Sequence, residues 1–307
     1  MYDTIKIWIH TNEDISRYLE NPHERIDMVT GEISFYGKIN NLRIRQTSQR
    51  ISLEGSLAVF YFHQNYDTLT LSSTESAINE VCDLLHLSIK EAPVVRIDFG
   101  TNILLNRPLL NYFDCLGELP RFKKSEMCDR ETISYKNSQL ELIFYNKIKE
   151  LKKNKISISD HLIGKNLLRY EIRLTKNLSK QLHRPKIIVS DLYNINFFST
   201  MIDYWEKRYL SIHKILQLNR TGKLSFVDMT SFRDSLALIG LLSLENTCTV
   251  EQELQNQMVG KSTKFKIRKY VKEIRDSADS ENIEQAITEL DEKVRQTAEI
   301  YRIQNEI

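Results

Sequence analysis

Three short segments with alternating apolar and polar residues restrict the fold of this chain more than any other feature. The central segment is LELIFYNKIKE, residues 140–150. Side chains of a strand point alternately to opposite faces, so the two leucines and Phe144 would face a core. Tyr145 and Lys147 would then lie on the opposite face. The segment therefore predicts a half-buried strand with a tyrosine and a lysine on its polar side.

Two other segments supply polar neighbours for this strand. They are VVRIDFG, residues 94–100, and LLRYEIRL, residues 167–174. Both alternate apolar residues with charged ones, as a strand with one buried face does. Their charged residues are Arg96 and Asp98 in the first, and Arg169, Glu171 and Arg173 in the second. Three such strands in one sheet would form a polar surface, which we interpret as an active site for phosphodiester chemistry.

The predicted chemistry is attack by a tyrosine on a phosphodiester, which keeps the cleaved end as a phosphotyrosine ester. A phenol titrates near pH 10, so Tyr145 needs a nearby cation, and Lys147 is the candidate. Carboxylate ligands favour Mg²⁺ or Mn²⁺ over zinc, and such an ion would polarise the phosphate. The candidate metal ligands are Asp98, Glu171 and Glu150, and the candidate phosphate ligands are Arg96, Arg169 and Arg173.

Each of these features also has an ordinary structural explanation. A Tyr-x-Lys pair is common on strands, and alternating arginines and acids usually form a solvated sheet face with weak ion pairs. The seven histidines include no His-x-His pair, which argues against the two-histidine metal site of the commonest tyrosine nickases. Periodicity alone therefore predicts a two-domain α+β protein with a polar sheet face.

Composition limits the class of protein. A length of 307 residues is enough for about two domains, and a formal net charge of +2 neither favours nor opposes a polyanionic partner. No apolar run approaches the roughly 20 residues that span a bilayer, and the N-terminus lacks the features of a signal peptide. Four widely spaced cysteines fit a reducing compartment. We therefore expect a soluble, cytoplasmic protein without a membrane partner.

The first half of the chain has the pattern of strands around one helix. Residues 2–10 alternate as a strand and precede a polar loop, and residues 33–62, which end in SLAVFYF, suggest a meander of strands. Residues 71–89 have helical periodicity, with capping-box spacing at Ser72 and Glu75. This order predicts an α+β fold with a largely antiparallel N-terminal sheet, flanking helices and the active site on the sheet.

From about residue 179 helical periodicity replaces strand alternation. Helices are predicted over residues 192–216, 227–245 and 250–258. A last helix has an apolar stripe from 283 to 301, the spacing of a helix packed on a partner, and a homodimer is one such arrangement. The predicted division is a catalytic domain over 1–185 and a helical DNA-binding or dimerisation domain over 186–307.

Two basic stretches are candidate DNA contacts. The first follows the central strand and includes Lys149 and Lys152, although such a run is more often a solvated surface. The second, residues 261–275, is the better candidate because apolar and aromatic residues interleave with its charges. Its predicted DNA-contacting residues are Lys264, Lys266, Arg268, Lys269 and Lys272.

The order of these motifs resembles one family. GSLAVFYFHQNYDTLTLSSTESAINEVCDLL, VVRIDFGTN, a strand ending in FYNKIKE, and LLRYEIRL follow one another within residues 50–180. This order is similar to that of the phage and plasmid replication initiators, above all the filamentous-phage gene II-type replication endonucleases, and also the plasmid rolling-circle Rep proteins. The specific part of the likeness is the set Arg-Ile-Asp, Tyr-Asn-Lys with a following Glu, and Arg-Tyr-Glu.

The resemblance implies a protein that nicks one strand at a replication origin, becomes linked to the 5′ phosphate, and rejoins the displaced strand after rolling-circle synthesis. On matching positions Tyr145 is the nucleophile, with Lys147 beside it and Glu150 where the plasmid proteins also carry an acid. Asp98 and Glu171 match the acids of the flanking strands. The implied partners are single-stranded or cruciform origin DNA and a host helicase.

At one position the chain departs from the plasmid proteins, because Asn102 stands where they tend to carry a second acid. A second tyrosine for strand closure would be Tyr135 or Tyr170. Two other functions stay open at this point. One is an origin-binding protein without nuclease activity, motivated by the basic helix. The other is a metal-dependent nuclease that uses water, with Tyr145 as a structural residue.

Overall fold

The fold is built on one antiparallel sheet. The computed structural model describes residues 1–303 except 65, 129, 157, 159, 216–232, 234–259 and 278–279. The strands are β1 (Tyr2–His10), β2 (Glu20–Ile26), β3 (Ile33–Ile39), β4 (Leu42–Gln46), β5 (Arg50–Ser56), β6 (Val94–Leu105), β7 (Lys123–Met127), β8 (Thr132–Lys136), β9 (Leu140–Asn146) and β10 (Asn166–Leu174). They form a ten-stranded sheet in the order β2-β3-β4-β5-β1-β6-β10-β9-β8-β7, with antiparallel neighbours throughout. The predicted α+β class is confirmed.

Helices flank the sheet, and the residues described after β10 are mostly helical. They are α1 (Leu57–Phe62), α2 (Leu71–Leu85), α3 (Leu109–Phe113), α4 (Lys147–Lys153), α5 (Leu178–Gln181), α6 (Ile195–Leu210), α7 (Lys261–Ser277) and α8 (Ser280–Ile303), with 3-10 helices at Ser16–Tyr18, Asp160–Leu162 and Val189–Tyr193. None of the described helices is long and apolar enough to cross a membrane.

An aromatic cluster holds β9, β10 and α6 together on the apolar side of the sheet. Phe144 stacks on Tyr170 with ring centroids 4.4 Å apart. The hydroxyl of Tyr170 donates to the carbonyl of Trp205 at 3.0 Å, and the Trp205 indole N–H donates to the Tyr170 carbonyl at 3.3 Å. Because neighbouring residues of a strand face opposite ways, this packing directs Tyr145 and Arg169 to the polar face.

The segment SLAVFYF is a helix, so the prediction that it ends the meander as a strand is wrong. Ser56 caps α1, because its hydroxyl accepts a hydrogen bond from the backbone N–H of Val59 at 3.1 Å. Leu57, Ala58 and Phe60 are buried. A one-and-a-half-turn helix and a short buried strand have the same apolar composition, so periodicity could not distinguish them.

The polar loop expected after β1 contains a strand, β2, whose seven residues are all exposed. A strand without a buried face shows no alternation, so the sequence pattern does not reveal it. The cap of α2 also differs from the prediction. Thr70 and Ser73 form the capping box instead of Ser72 and Glu75, since Thr70 is the last residue with extended backbone before the helix.

Two compact units divide the chain. The first comprises Met1–Asn106, Arg121–Ser211 and Lys293–Ile307 and contains the sheet; the second comprises Arg107–Pro120 and Ile212–Glu292. In the first unit, Arg302 pairs with Asp203 and Glu206 of α6, at 2.6 Å each. In the second, the Tyr112 hydroxyl donates to Glu289 at 2.7 Å. The predicted boundary near residue 185 stays a prediction.

The structure describes some of the helices predicted for the end of the chain and not others. Helix α6 confirms the periodicity of the segment that begins at residue 192, and α7 and α8 confirm the basic helix and the last amphipathic helix. Along α8 the apolar stripe is buried at Ala286, Ile287, Leu290, Val294 and Ala298. The helices predicted over 227–245 and 250–258 lie outside the described residues, apart from Arg233.

We predict that Gly100→Ala destabilises the protein by about 1–3 kcal/mol, the usual cost of overpacking. A Cβ at Gly100 would lie 2.3 Å from the Tyr170 carbonyl oxygen and 2.6 Å from the Glu171 Cα, so β6 and β10 would have to separate. Urea unfolding measures the change. Gly260→Ala is the control, because no atom of the described residues lies within 4 Å of a Cβ added there; equal stability of the two variants would contradict the prediction.

Candidate active site

Strand β10 lies between β6 and β9, so the three alternating segments are neighbours in the sheet. Arg169 is directly opposite Tyr145 on β9, and Arg173 is directly opposite Asp98 on β6. Directly opposed residues of antiparallel strands share a face of the sheet. The sheet therefore places the predicted tyrosine, acids and arginines of these three strands on one polar face.

Arg96 links the acids of β5 and β6. Its Nε and one terminal nitrogen donate to the two carboxylate oxygens of Asp98 at 2.9 and 2.7 Å, and its other terminal nitrogen donates to Glu54 at 3.0 Å. Two parallel bonds from a guanidinium to one carboxylate are the strongest form of this interaction. Asp98 is only 2% exposed, so this contact also compensates for its burial.

Glu171 is held by two arginines from its own strand. Arg173 Nε donates to one carboxylate oxygen at 2.7 Å, and Arg169 Nε donates to the other at 3.4 Å. Arg173 Nε also lies 3.9 Å from the Asp98 carboxylate. The two buried acids therefore share one guanidinium. We call the set Glu54, Arg96, Asp98, Arg173, Glu171, Arg169 and Asp3 the charge network.

Asp3 completes the charge network and is not identified by the sequence analysis. Its carboxylate accepts a hydrogen bond from Arg169 at 3.0 Å. By strict alternation Asp3 would share the apolar face with Ile5. The pairing of β1 with β6 shifts between Tyr2 and Ile5, however, and such a bulge changes the face to which a residue points. No residue type in the sequence marks this bulge.

The surroundings of Tyr145 raise the pKa of its phenol above the ordinary value. Burial is the main cause, and the Glu171 carboxylate adds to it, with smaller contributions from Asp3 and Glu150. Arg169 is the group that acts on this pKa in the opposite direction. The cation that favours the phenolate is therefore Arg169, directly across the strand pair.

The sequence pattern predicts Lys147 on the strand beside Tyr145, but β9 ends at Asn146 and Lys147 begins α4. The side-chain oxygen of Asn146 accepts from the Lys149 N–H at 3.2 Å and so starts the helix. Lys147 remains buried, with its Nζ 2.9 Å from Glu150 and 5.9 Å from the centre of the Tyr145 ring. Burial lowers its pKa.

The donors available for a metal ion are two carboxylates rather than three. Asp98 and Glu171 are close enough for each to bind Arg173, whereas Glu150 pairs with Lys147. Within the described residues no three His, Cys, Asp or Glu side chains are grouped to hold an ion. Asn102 donates to the carbonyl of Tyr66 at 2.9 Å. The set of Asp98, Glu171 and Glu150 is thus not assembled here and stays a prediction.

The remaining predicted site residues lie outside the charge network. On α4, Lys149 pairs with Glu131 and Lys152 is exposed. On α7, the predicted DNA contacts Lys266, Arg268 and Lys269 are exposed, and Lys264 is half-buried. The side chain of Lys272 lies outside the described residues. Phe265 of the same helix is 68% exposed.

The two candidates for a second tyrosine are both core residues. Tyr135 and Tyr170 are fully buried. Both contact the ring of Phe144, on the apolar side of the sheet. Burial raises the pKa of each phenol. Neither hydroxyl therefore belongs to the polar face that carries Tyr145.

These features define an α+β protein whose antiparallel sheet has an arginine-rich polar face around one tyrosine. The family model Phage_CRI, described as the N-terminal part of a phage replication-associated protein, matches residues 1–201, well over half of the chain. The chain belongs to this family. No curated protein matches it. Family membership identifies a phage-type rolling-circle replication initiator, in general terms an endonuclease, for which DNA is the partner.

We predict that Asp98 makes stability depend on pH. Burial is the main cause that raises its pKa to about 7, and the neighbouring Glu171 carboxylate adds to it. Between its unfolded value near 4 and about 7, the folded protein binds more protons than the unfolded chain, so this contribution to stability is lost as pH rises. Relative to wild type, Asp98→Asn should therefore become more stable from about pH 5 to about pH 8 in urea unfolding.

The control for this prediction is Asp14→Asn. Hydrogen bonds from the backbone N–H and hydroxyl of Ser16 lower the pKa of Asp14. Its contribution to stability is present above the unfolded value near 4 and lost only as pH falls further. The difference between Asp14→Asn and wild type should therefore stay constant over the same pH range. The same constant difference for Asp98→Asn would refute the prediction.

Proposed function

We propose that the protein nicks and rejoins one DNA strand at a phage or plasmid origin through a covalent bond between Tyr145 and the 5′ phosphate. The observation that carries this proposal is the position of Tyr145 directly across from Arg169, at the border of the charge network. A buried guanidinium next to a phenol stabilises negative charge on the phenol oxygen and on an attacked phosphate.

The reaction proceeds by exchange of two ester bonds. The phenol oxygen attacks the phosphorus and loses its proton to a neighbouring carboxylate, and the bond from phosphorus to the 3′ oxygen breaks. The 3′ oxygen takes up a proton from water and leaves as a free hydroxyl. Rejoining is the reverse, with a 3′ hydroxyl attacking the phosphotyrosine. The carboxylates whose charges act on the phenol are Glu171, Asp3 and Glu150.

The three arginines of the charge network have different roles in this proposal. Arg96 and Arg173 keep 29% and 28% of their side chains exposed, so a phosphate can reach them, whereas Arg169 is 4% exposed and positions Asp3 and Glu171. Lys149 and Lys152 extend the basic surface along α4. We assign substrate phosphates to Arg96 and Arg173 and the electrostatic role to Arg169.

A divalent ion is part of this proposal. The oxygen donors of Asp98 and Glu171 suit Mg²⁺ or Mn²⁺. Burial and the charge of Glu171 raise the pKa of Asp98, and an added cation would favour the ionised form of both acids. Those two residues would hold the ion, which supplies polarisation of the phosphate when bound. Glu150 stays with Lys147 in this scheme.

Outside the sheet, the basic helix α7 binds duplex or cruciform origin DNA in this proposal. Residues 1–185 carry the nicking site, and residues 186–307 bind DNA or a second copy of the chain. A host helicase opens the duplex, and the protein acts in the cytoplasm. The interleaved basic and aromatic residues of α7 support this part.

One observation favours a second function, an origin-binding protein without nuclease activity. The described acids and arginines around Tyr145 already form ion pairs with one another. The pKa of Tyr145 is raised, which disfavours the phenolate nucleophile. Such a network would also stabilise a purely structural sheet face. Hydrolysis by water at the same carboxylates, without a protein–DNA bond, is the remaining alternative.

We predict that Tyr145→Phe abolishes the covalent adduct. Wild type and variant are incubated with single-stranded oligonucleotides from the element that encodes the protein, with Mn²⁺ or with chelator, and run on denaturing gels. Wild type should give a metal-dependent protein–DNA band, which Tyr145→Phe loses entirely because no phenol oxygen remains to attack.

The control for this experiment is Tyr135→Phe, which removes the hydroxyl of a core tyrosine and should leave the band intact. A band that survives in Tyr145→Phe would assign the nucleophile to another tyrosine. Nicked DNA without any band would support hydrolysis, and tight binding without nicking would support the origin-binding protein.

We predict that Lys264→Gln and Lys266→Gln each weaken DNA binding at low salt. Each lost phosphate contact should lower the slope of log K against log salt by about 1. Fluorescence anisotropy of an origin duplex at several salt concentrations measures this slope. Lys180→Gln, an exposed lysine at the end of α5, is the control. An unchanged slope in both α7 variants would remove α7 from the DNA interface.

A further inference from the structure

The polar sheet face continues beyond the charge network into a second cluster with different composition. On β2, β3, β4, β5 and β1 five residues lie directly opposite one another in turn. They are His23, Tyr36, Arg45, Ser52 and Trp8. We call this set the aromatic row. Lys6 and Glu54, two residues along the same strands, share its face and lead to Arg96 of the charge network.

Guanidinium groups cover the two large rings of the aromatic row. Arg25 and Arg45 lie over the ring of Tyr36 at 4.9 and 5.6 Å from its centre, and Arg50 lies over Trp8 at 4.6 Å. Among the side chains that the structure describes, none of these three guanidiniums forms an ion pair with a carboxylate. This differs from the charge network, in which every arginine is paired with acids.

Exposure favours contact of this cluster with a ligand. Tyr36 and Trp8 are half-buried, which fixes the rings, whereas Arg25 and Arg45 are exposed. Fixed aromatic faces beside such cations are how proteins bind single-stranded nucleic acid, because bases stack on the rings and phosphates meet the cations. Neither group reads base sequence, so the expected binding tolerates any sequence.

We propose that the aromatic row binds single-stranded DNA on the same sheet face as Tyr145. The guanidinium groups of Arg25, Arg45 and Arg50 move from the rings to phosphates, and bases take their place on Trp8 and Tyr36. This inference rests on the proposed function. The row would hold the strand on one side of the scissile phosphate, while the charge network holds that phosphate itself.

The distance between Trp8 of the aromatic row and Tyr145 suits one continuous DNA strand. Strand β1, which carries Trp8, is three strands from β9 in the sheet, about 14 Å at the usual strand spacing. Along the strands, Trp8 lies beside Pro93, whose carbonyl accepts from the Trp8 N–H at 3.1 Å, whereas Tyr145 lies across β10 from Asn102. The interval from Pro93 to Asn102 corresponds to about 30 Å of strand. The resulting distance of about 33 Å is spanned by a short extended oligonucleotide.

The opposite face of the same strands supplies a matched control. Arg17 lies 4.6 Å over the ring of Tyr18. This pair belongs to the 3-10 helix that packs behind β3, where a Cβ on Gly37 would lie 2.8 Å from the Leu19 Cβ. Since Gly37 adjoins Tyr36 in β3, its position faces away from the aromatic row. Arg17→Ala therefore removes the same type of contact without touching the row.

The test uses the tryptophan fluorescence of the full chain. Its two tryptophans are Trp8 and Trp205, and Trp205 is fully buried, so quenching by DNA reports stacking on Trp8. A thymidine oligonucleotide should quench the fluorescence in chelator, and Trp8→Phe should abolish the quenching. Tyr36→Ala should weaken binding roughly tenfold, the effect of losing one stacked base, and Tyr36→Phe should keep the affinity because the ring remains.

The contribution of the arginines to DNA binding is tested in the same fluorescence titration. Arg45→Ala should weaken binding and lower its salt dependence by about one phosphate contact, and Arg45→Lys should recover part of the loss. Arg17→Ala should bind as wild type. The inference is overturned if the oligonucleotide does not quench Trp8, if a duplex quenches it equally, or if Arg17→Ala weakens binding as much as Arg45→Ala.

This readout separates the inference from the proposed function, because quenching requires no cleavage. Quenching without any Tyr145 adduct would contradict the proposed function alone. An adduct without quenching of Trp8 would contradict the aromatic row alone. If Tyr36→Ala loses its fold, Tyr36→Phe and the arginine variants still decide the outcome.

Discussion

The polar face depends on one buried guanidinium. Arg169 is 4% exposed, and it joins Asp3 of β1 to Glu171 of its own strand while lying opposite Tyr145 of β9. A buried charge is tolerated only when its partners compensate for lost hydration, and removal of one partner leaves the others uncompensated. Arg169 therefore fixes both the central strands of the sheet and the electrostatic environment of the phenol.

Charge is distributed in two ways on this single face. The charge network is self-satisfied, so its arginines and acids hold fixed positions around Tyr145. The cations of the aromatic row lie over rings and have no acidic partner among the described residues. A face that combines a rigid polar centre with a more exposed cationic surface agrees with the two proposals above, in which the aromatic row holds the DNA strand and the charge network holds one phosphate.

Alternation in the sequence is enough to predict that three segments form strands with charged faces, and the α+β class follows from the order of elements. Alternation cannot predict how strands are interrupted. The bulge that turns Asp3 toward Arg169 is a local backbone event without a residue signature. The helix that starts at Lys147 has a cap signal in Asn146, but the alternation that continues through Lys147 conceals it. Strand β2 escapes prediction because a fully exposed strand has no apolar face. Family resemblance draws attention to Tyr145. Its position opposite Arg169, whose charge opposes the rise in the pKa of Tyr145, is visible only in three dimensions.

The strand order also fixes when the centre of the sheet can form during synthesis. Strand β1 pairs with β5 and β6, but β6 gains its second neighbour only when β10, residues 166–174, has been made. Contacts between distant parts of a chain form late in folding. Tyr145 is therefore translated before Arg169 exists to lie across from it. A partly made chain carries the phenol without its guanidinium, so the charged surroundings of Tyr145 appear only with the completed sheet.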